Sequence, residues 1–72
     1  MMNPENNIQA LTKRELEVLC KMADGYTQKE IAELLFVSPY TINSHTQRIY
    51  EKMNVHTGVH AIAKAFRARL IS

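Results

Sequence analysis

Apolar residues along the chain gather in four blocks whose members stand three and four apart, the period of one face of an α-helix. In the first block Thr12-Lys13-Arg14-Glu15 has the form of a capping box. The hydroxyl accepts a first-turn backbone N–H, the acid reaches back, and Leu11 stands where it would pack on Leu16. This predicts a helix from about Thr12 to Ala23, with Glu15, Val18, Leu19, Met22 and Ala23 inward and an Asp24-Gly25 turn ending it. Thr27-Gln28-Lys29-Glu30 repeats the box, with Tyr26 placed against Ile31, and predicts a short helix that buries Ile31, Leu34 and Leu35. Ser38 caps the third block, Pro39 takes the first helical position, and Val37 stands to meet Ile42, so Phe36-Val37 is a tight turn. That third helix runs to about Met53, with Ile42, Ile49 and Met53 on one face and His45 or Thr46 between them. A fourth starts at Thr57 or Gly58, turns Ile62, Ala65, Phe66 and Leu70 inward, and ends near Arg69.

The predicted fold is all-α, a bundle of four helices. A short helix, a turn of about three residues and a longer helix in its middle match helix-turn-helix topology, whose second member lies in the DNA major groove. Small helical bundles also serve as interaction modules that never meet nucleic acid, so the topology alone leaves both readings open.

With Ile42, Ile49 and Met53 inward, Tyr40, Asn43, Ser44, Gln47, Arg48 and Glu51 point outward. Asn43 and Gln47 are four apart on one stripe, and their amides suit the N6 and N7 edge of adenine, while Ser44 can donate to or accept from nearly any base. These three are the candidate base contacts. Thr27, Lys29, Thr41, His45, Arg48 and Lys52 surround them as candidate phosphate contacts, helped by the backbone N–H groups of the helix N-termini. Taken singly, the outward Asn, Gln and Ser are ordinary solvated side chains and His45 equally suits a satisfied, half-buried histidine; the joint placement carries the reading.

Composition narrows the field without deciding it. Seventy-two residues suffice for one domain, expected over residues 11–72 behind a flexible polar tail at 1–10. The net charge of +2 suits a nucleic-acid partner and many others. Cys20 is the single cysteine and no Cys/His cluster has zinc-ligand spacing, so no disulfide, metal or cofactor is expected. No apolar run approaches a membrane span and the opening residues lack signal-peptide character, so a cytoplasmic protein with no membrane partner is expected. No nucleophile, base and orienting group recur together, and both glycines are explained as turn or cap. Neither an enzyme nor a small-molecule substrate is expected.

Four segments in order resemble the LuxR/FixJ/GerE family of bacterial regulators. They are Leu11-Thr12-Lys13-Arg14-Glu15-Leu16-Glu17-Val18-Leu19, Lys29-Glu30-Ile31-Ala32, Val37-Ser38-Pro39-Tyr40-Thr41-Ile42-Asn43-Ser44-His45 and Lys52-Met53-Asn54-Val55, within a match from Leu11 to about Ile71. The resemblance implies a four-helix DNA-binding domain whose third helix reads the major groove and whose fourth forms a two-fold dimer. It places base reading on Asn43, Ser44 and Gln47, and phosphate contacts on Lys29, Thr41 and His45. Ala61, Ile62, Lys64, Ala65 and Ala68 are the candidate dimer contacts, since small residues permit close helix approach. The implied function is a sequence-specific transcription regulator whose partners are double-stranded DNA and a second copy of itself, with RNA polymerase a further candidate. The competing reading is an interaction module that uses the same fold to bind another regulator.

The chain departs from the family pattern at three positions. Where the family usually carries Lys or Arg, Asn43 removes a charge from the groove face and shifts readout from guanine towards adenine. Gly58 and His60 stand where Arg and Glu are common, so the fourth helix lacks its capping-box acid and its start is expected to fray.

Overall fold

The computed structural model describes residues 10–72, so the tail expected over 1–10 lies outside the described residues but for Ala10. Four helices follow in order: α1 (Lys13–Ala23), α2 (Gln28–Leu35), α3 (Pro39–Met53) and α4 (Gly58–Arg67). Both capping boxes form. Thr12 Oγ1 accepts the Glu15 N–H at 3.1 Å while Glu15 Oε1 accepts the Thr12 N–H at 2.8 Å. Thr27 and Glu30 repeat the exchange at 3.2 and 2.8 Å. Ser38 accepts the Thr41 N–H behind Pro39, and Thr57 accepts the His60 N–H at 3.1 Å. The fourth helix therefore starts on a one-armed cap, without the returning acid. A Cβ at Gly58 would come within 3.3 Å of Met22 Cε and of the Tyr50 hydroxyl, so those two side chains occupy the space a larger residue would need there.

All four helices end the same way. A residue with positive φ turns the chain, and the next N–H reaches back five residues: Tyr26 to Lys21 past Gly25, Val37 to Ala32 past Phe36, Val55 to Tyr50 past Asn54, Leu70 to Ala65 past Arg69. Glycine at the first of these turns was legible in the sequence. Phe36 at φ 59° was not, because a bulky residue in the left-handed region is uncommon and strained.

The core takes Val18 and Leu19 from α1, Ile31 and Ala32 from α2, Ile42, Thr46, Ile49 and Met53 from α3, Ala61 and Ala65 from α4, and Val55 and Ile71 from the connections. The helix α3 packs against each of the other three and is the element around which they gather. Two expectations are corrected here. Leu34, expected to be buried, is 45% exposed, and Ala32 takes its place. At about 100° per residue, Leu34 lies more than a quarter-turn from the centre of the face that Ile31, Ala32 and Leu35 present. Phe66 (47% exposed) and Leu70, expected inward, are also exposed, and the buried stripe of α4 is Ala61 and Ala65 with Ile62 half-buried. Alanines on the contact face let α4 approach closely, and the larger Phe66 is left on the far side.

Candidate nucleic-acid interface

The helix α3 buries Ile42, Thr46, Ile49 and Met53, spaced four, three and four, so Thr46 and not His45 fills the gap in the inward stripe. A buried hydroxyl needs partners, and Thr46 has two. Its Oγ–H donates to the Asn43 carbonyl at 2.8 Å, and its oxygen accepts the Gln28 side-chain amide at 3.3 Å. Gln28 is the first residue of α2, so this bond links the start of the short helix to the middle of the long one.

On the opposite face Tyr40, Asn43, Gln47, Arg48 and Glu51 are exposed, and Ser44 is half-buried. Asn43 and Gln47 thus stand side by side on solvent-facing backbone, one turn apart. At the edges of this face lie the capped N-termini of α2 and α3. Thr27 and Lys29 are exposed at the first, and Thr41, half-buried with its Oγ1 3.0 Å from Ser38 Oγ, lies at the second. The side chains of Lys29 and Arg48 make no hydrogen bond or ion pair with another described residue. His45 is half-buried, and its Nδ1 is enclosed with no hydrogen-bond partner among the described residues.

Lys52, expected to meet phosphate, turns inward instead. Its Nζ lies 2.6 Å from Oε1 of buried Glu15, the same oxygen that closes the α1 capping box. Burial raises the Glu15 pKa, but the Lys52 hydrogen bond, the Thr12 backbone N–H and the Lys52 charge together outweigh it. The carboxyl is held below the ordinary glutamate range. The sequence carried half of this signal, because an acid on the inward stripe of α1 must find a cation when buried. It did not say which one.

The residues expected to face a second copy are also redistributed. Ala61 and Ala65 are fully buried within this chain and have no surface to offer. Lys64 Nζ donates to the Met53 carbonyl at 2.7 Å, closing the C-terminal end of α3, and Ile62 and Ala68 are half-buried. The outer side of α4 instead carries Val59 (81% exposed), Ala63 and Phe66. Among the described residues there is no cluster of potential metal ligands and no helix long and apolar enough to cross a membrane.

The short α2, the turn at Phe36-Val37 and the long α3 with its polar outer face define an all-α helix-turn-helix domain. Residues 9–65 match the family described as bacterial regulatory proteins, luxR family, and the chain belongs to it. It is 42% identical over 64 residues to the transcriptional regulatory protein LiaR of Bacillus subtilis, covering 89% of this chain and 30% of LiaR. It is 44% identical over 61 residues to the probable transcriptional regulatory protein NarL of Mycobacterium tuberculosis, covering 85% of this chain and 28% of that protein. Among solved structures it is similar to the response regulator ChrA of a heme-sensing two-component system, with 38% identity and a TM-score of 0.84 over 88% of this chain and 31% of ChrA. The chain spans less than a third of the length of each of these three.

Proposed function

We propose that this chain is the double-stranded-DNA-binding unit of a transcription regulator, with α3 laid in the major groove. The observation that carries the reading is the outer face of α3, where the Asn43 and Gln47 amides are exposed one turn apart and flanked by the unpaired cations Lys29 and Arg48. Amides on a helix suit adenine edges, and the flanking cations suit the phosphates on either side of the groove. Ser44 is the third base contact. Thr27, Lys29, Thr41 and Arg48 position the helix on the backbone, and His45 joins them through Nε2, since its Nδ1 is enclosed. Lys52 is withdrawn from this set by its bond to Glu15.

Two copies bind paired half-sites through the outer ridge of α4, with Val59, Ala63 and Phe66 replacing the buried Ala61 and Ala65 as the contact. The family membership and the regulator names of its relatives support the DNA reading.

Selection of bound duplexes from a random pool tests it, followed by titration of the winner and a scrambled control at two salt concentrations. A two-half-site motif containing A·T pairs, bound far more tightly than the control, is expected. No enrichment, with weak binding that depends only on salt, would reject it in favour of a protein-interaction module.

A further inference from the structure

Tyr40 is 79% exposed and its hydroxyl has no hydrogen-bond partner among the described residues. It is the second residue of α3, in a first turn pinned by the Ser38 cap and by Pro39. Its ring is therefore held out in water on rigid backbone, where a large apolar group gains nothing for the fold. It stands three residues before Asn43 and seven before Gln47, so these three share one outward stripe, with half-buried Ser44, four residues on, at its edge. None of the four is charged; Lys29 and Arg48 lie to the sides and Glu51 follows only beyond Gln47.

We propose that Tyr40 is a base-reading residue whose ring packs on the 5-methyl group of a thymine near the adenine met by Asn43, an inference that rests on the DNA-binding reading above. The major-groove edge of an A·T pair offers two features, the N6/N7 pair of adenine and the methyl of thymine, and the stripe presents the matching partners, amides and an aromatic ring. The N-terminal residues of a helix docked in this way reach base edges first. Three to four residues advance about 4.5 to 6 Å along a helix, and bases are spaced by about 3.4 Å, which sets the thymine about one to two base pairs from that adenine.

The test replaces each thymine of the selected site in turn by deoxyuridine, which removes only the methyl, and titrates the wild type, Tyr40→Ala and Tyr40→Phe. The wild type and Tyr40→Phe should each lose about fourfold at one position, the worth of one buried methyl group, and Tyr40→Ala should be insensitive there. Wild-type loss that persists in Tyr40→Ala would overturn the assignment, as would equal losses by both variants on every sequence, the mark of a hydroxyl–phosphate contact. Those outcomes leave DNA binding itself intact. Failure of the wild type to prefer any selected site would overturn the DNA reading and this one with it.

Discussion

The Lys52 ammonium lies 2.6 Å from the Glu15 carboxylate, joining the first turn of α1 to the last turn of α3 across 37 residues of chain. Glu15 is buried, and its Oε1 also accepts the Thr12 N–H, so one oxygen serves a helix cap and an interhelical ion pair. Lys52→Met should destabilise the domain by about 3 kcal/mol, because it leaves a buried carboxylate without its counter-charge. Glu15→Gln, which keeps a side-chain acceptor for Thr12, should cost less. Urea denaturation of the two single variants and the double variant gives the coupling directly, and additive losses would show that the pair is not coupled.

The same pair sets a dependence on pH. Glu15 titrates below its ordinary value of 4.5, so in the acid range the unfolded chain binds more protons at this site than the folded one. Its contribution is therefore fully present above about pH 4.5 and is lost as pH falls through the folded-state value. Glu15→Gln should flatten the stability curve below about pH 4.5 and leave its shape near pH 7 unchanged. Thermal unfolding between pH 7 and pH 3 is the measurement, and an unchanged acid slope in the variant would contradict the assignment.

Phe36 is 94% exposed at φ 59°, so its ring contributes no burial while its Cβ strains the turn. Phe36→Gly should stabilise the domain by about 0.5 to 1 kcal/mol, the relief of the left-handed strain less the extra entropy that glycine gives the unfolded chain. Chemical denaturation would read this as a raised midpoint with unchanged slope.

On DNA, Gln47→Ala should cost about 1 to 3 kcal/mol at the selected site and little on random sequence. Lys29→Ala should weaken binding to all sequences and reduce the salt slope by about one. Lys52→Met should leave the salt slope unchanged, since its ammonium is bound to Glu15. Equal losses on specific and random DNA for Gln47→Ala would remove it from the reading set.

The two sides of α4 should answer differently to substitution. Ala65→Leu overfills the core and should cost about 1 to 3 kcal/mol in a monomer unfolding experiment. Phe66→Asp, on the exposed ridge, should leave the monomer folded and abolish cooperative binding to paired half-sites while sparing a single half-site. Undiminished cooperativity would place the dimer contact elsewhere.

What the chain declares on its own is local. The hydroxyl caps at Thr12, Thr27 and Ser38, the proline at position 39 and the glycine at 25 act within one helical turn, so the helix boundaries and the outward placement of Asn43 and Gln47 follow without tertiary information. Only the packed structure decided which side of each helix lies deepest. Periodicity reports the spacing of apolar residues, whereas burial depends on how closely a neighbouring helix approaches. Close approach favoured Ala32 over Leu34, Thr46 over His45, and Ala61 over Phe66. The fate of Lys52 was likewise tertiary, because a buried carboxylate far away in sequence and 2.6 Å away in space attracts a cation more strongly than solvent does.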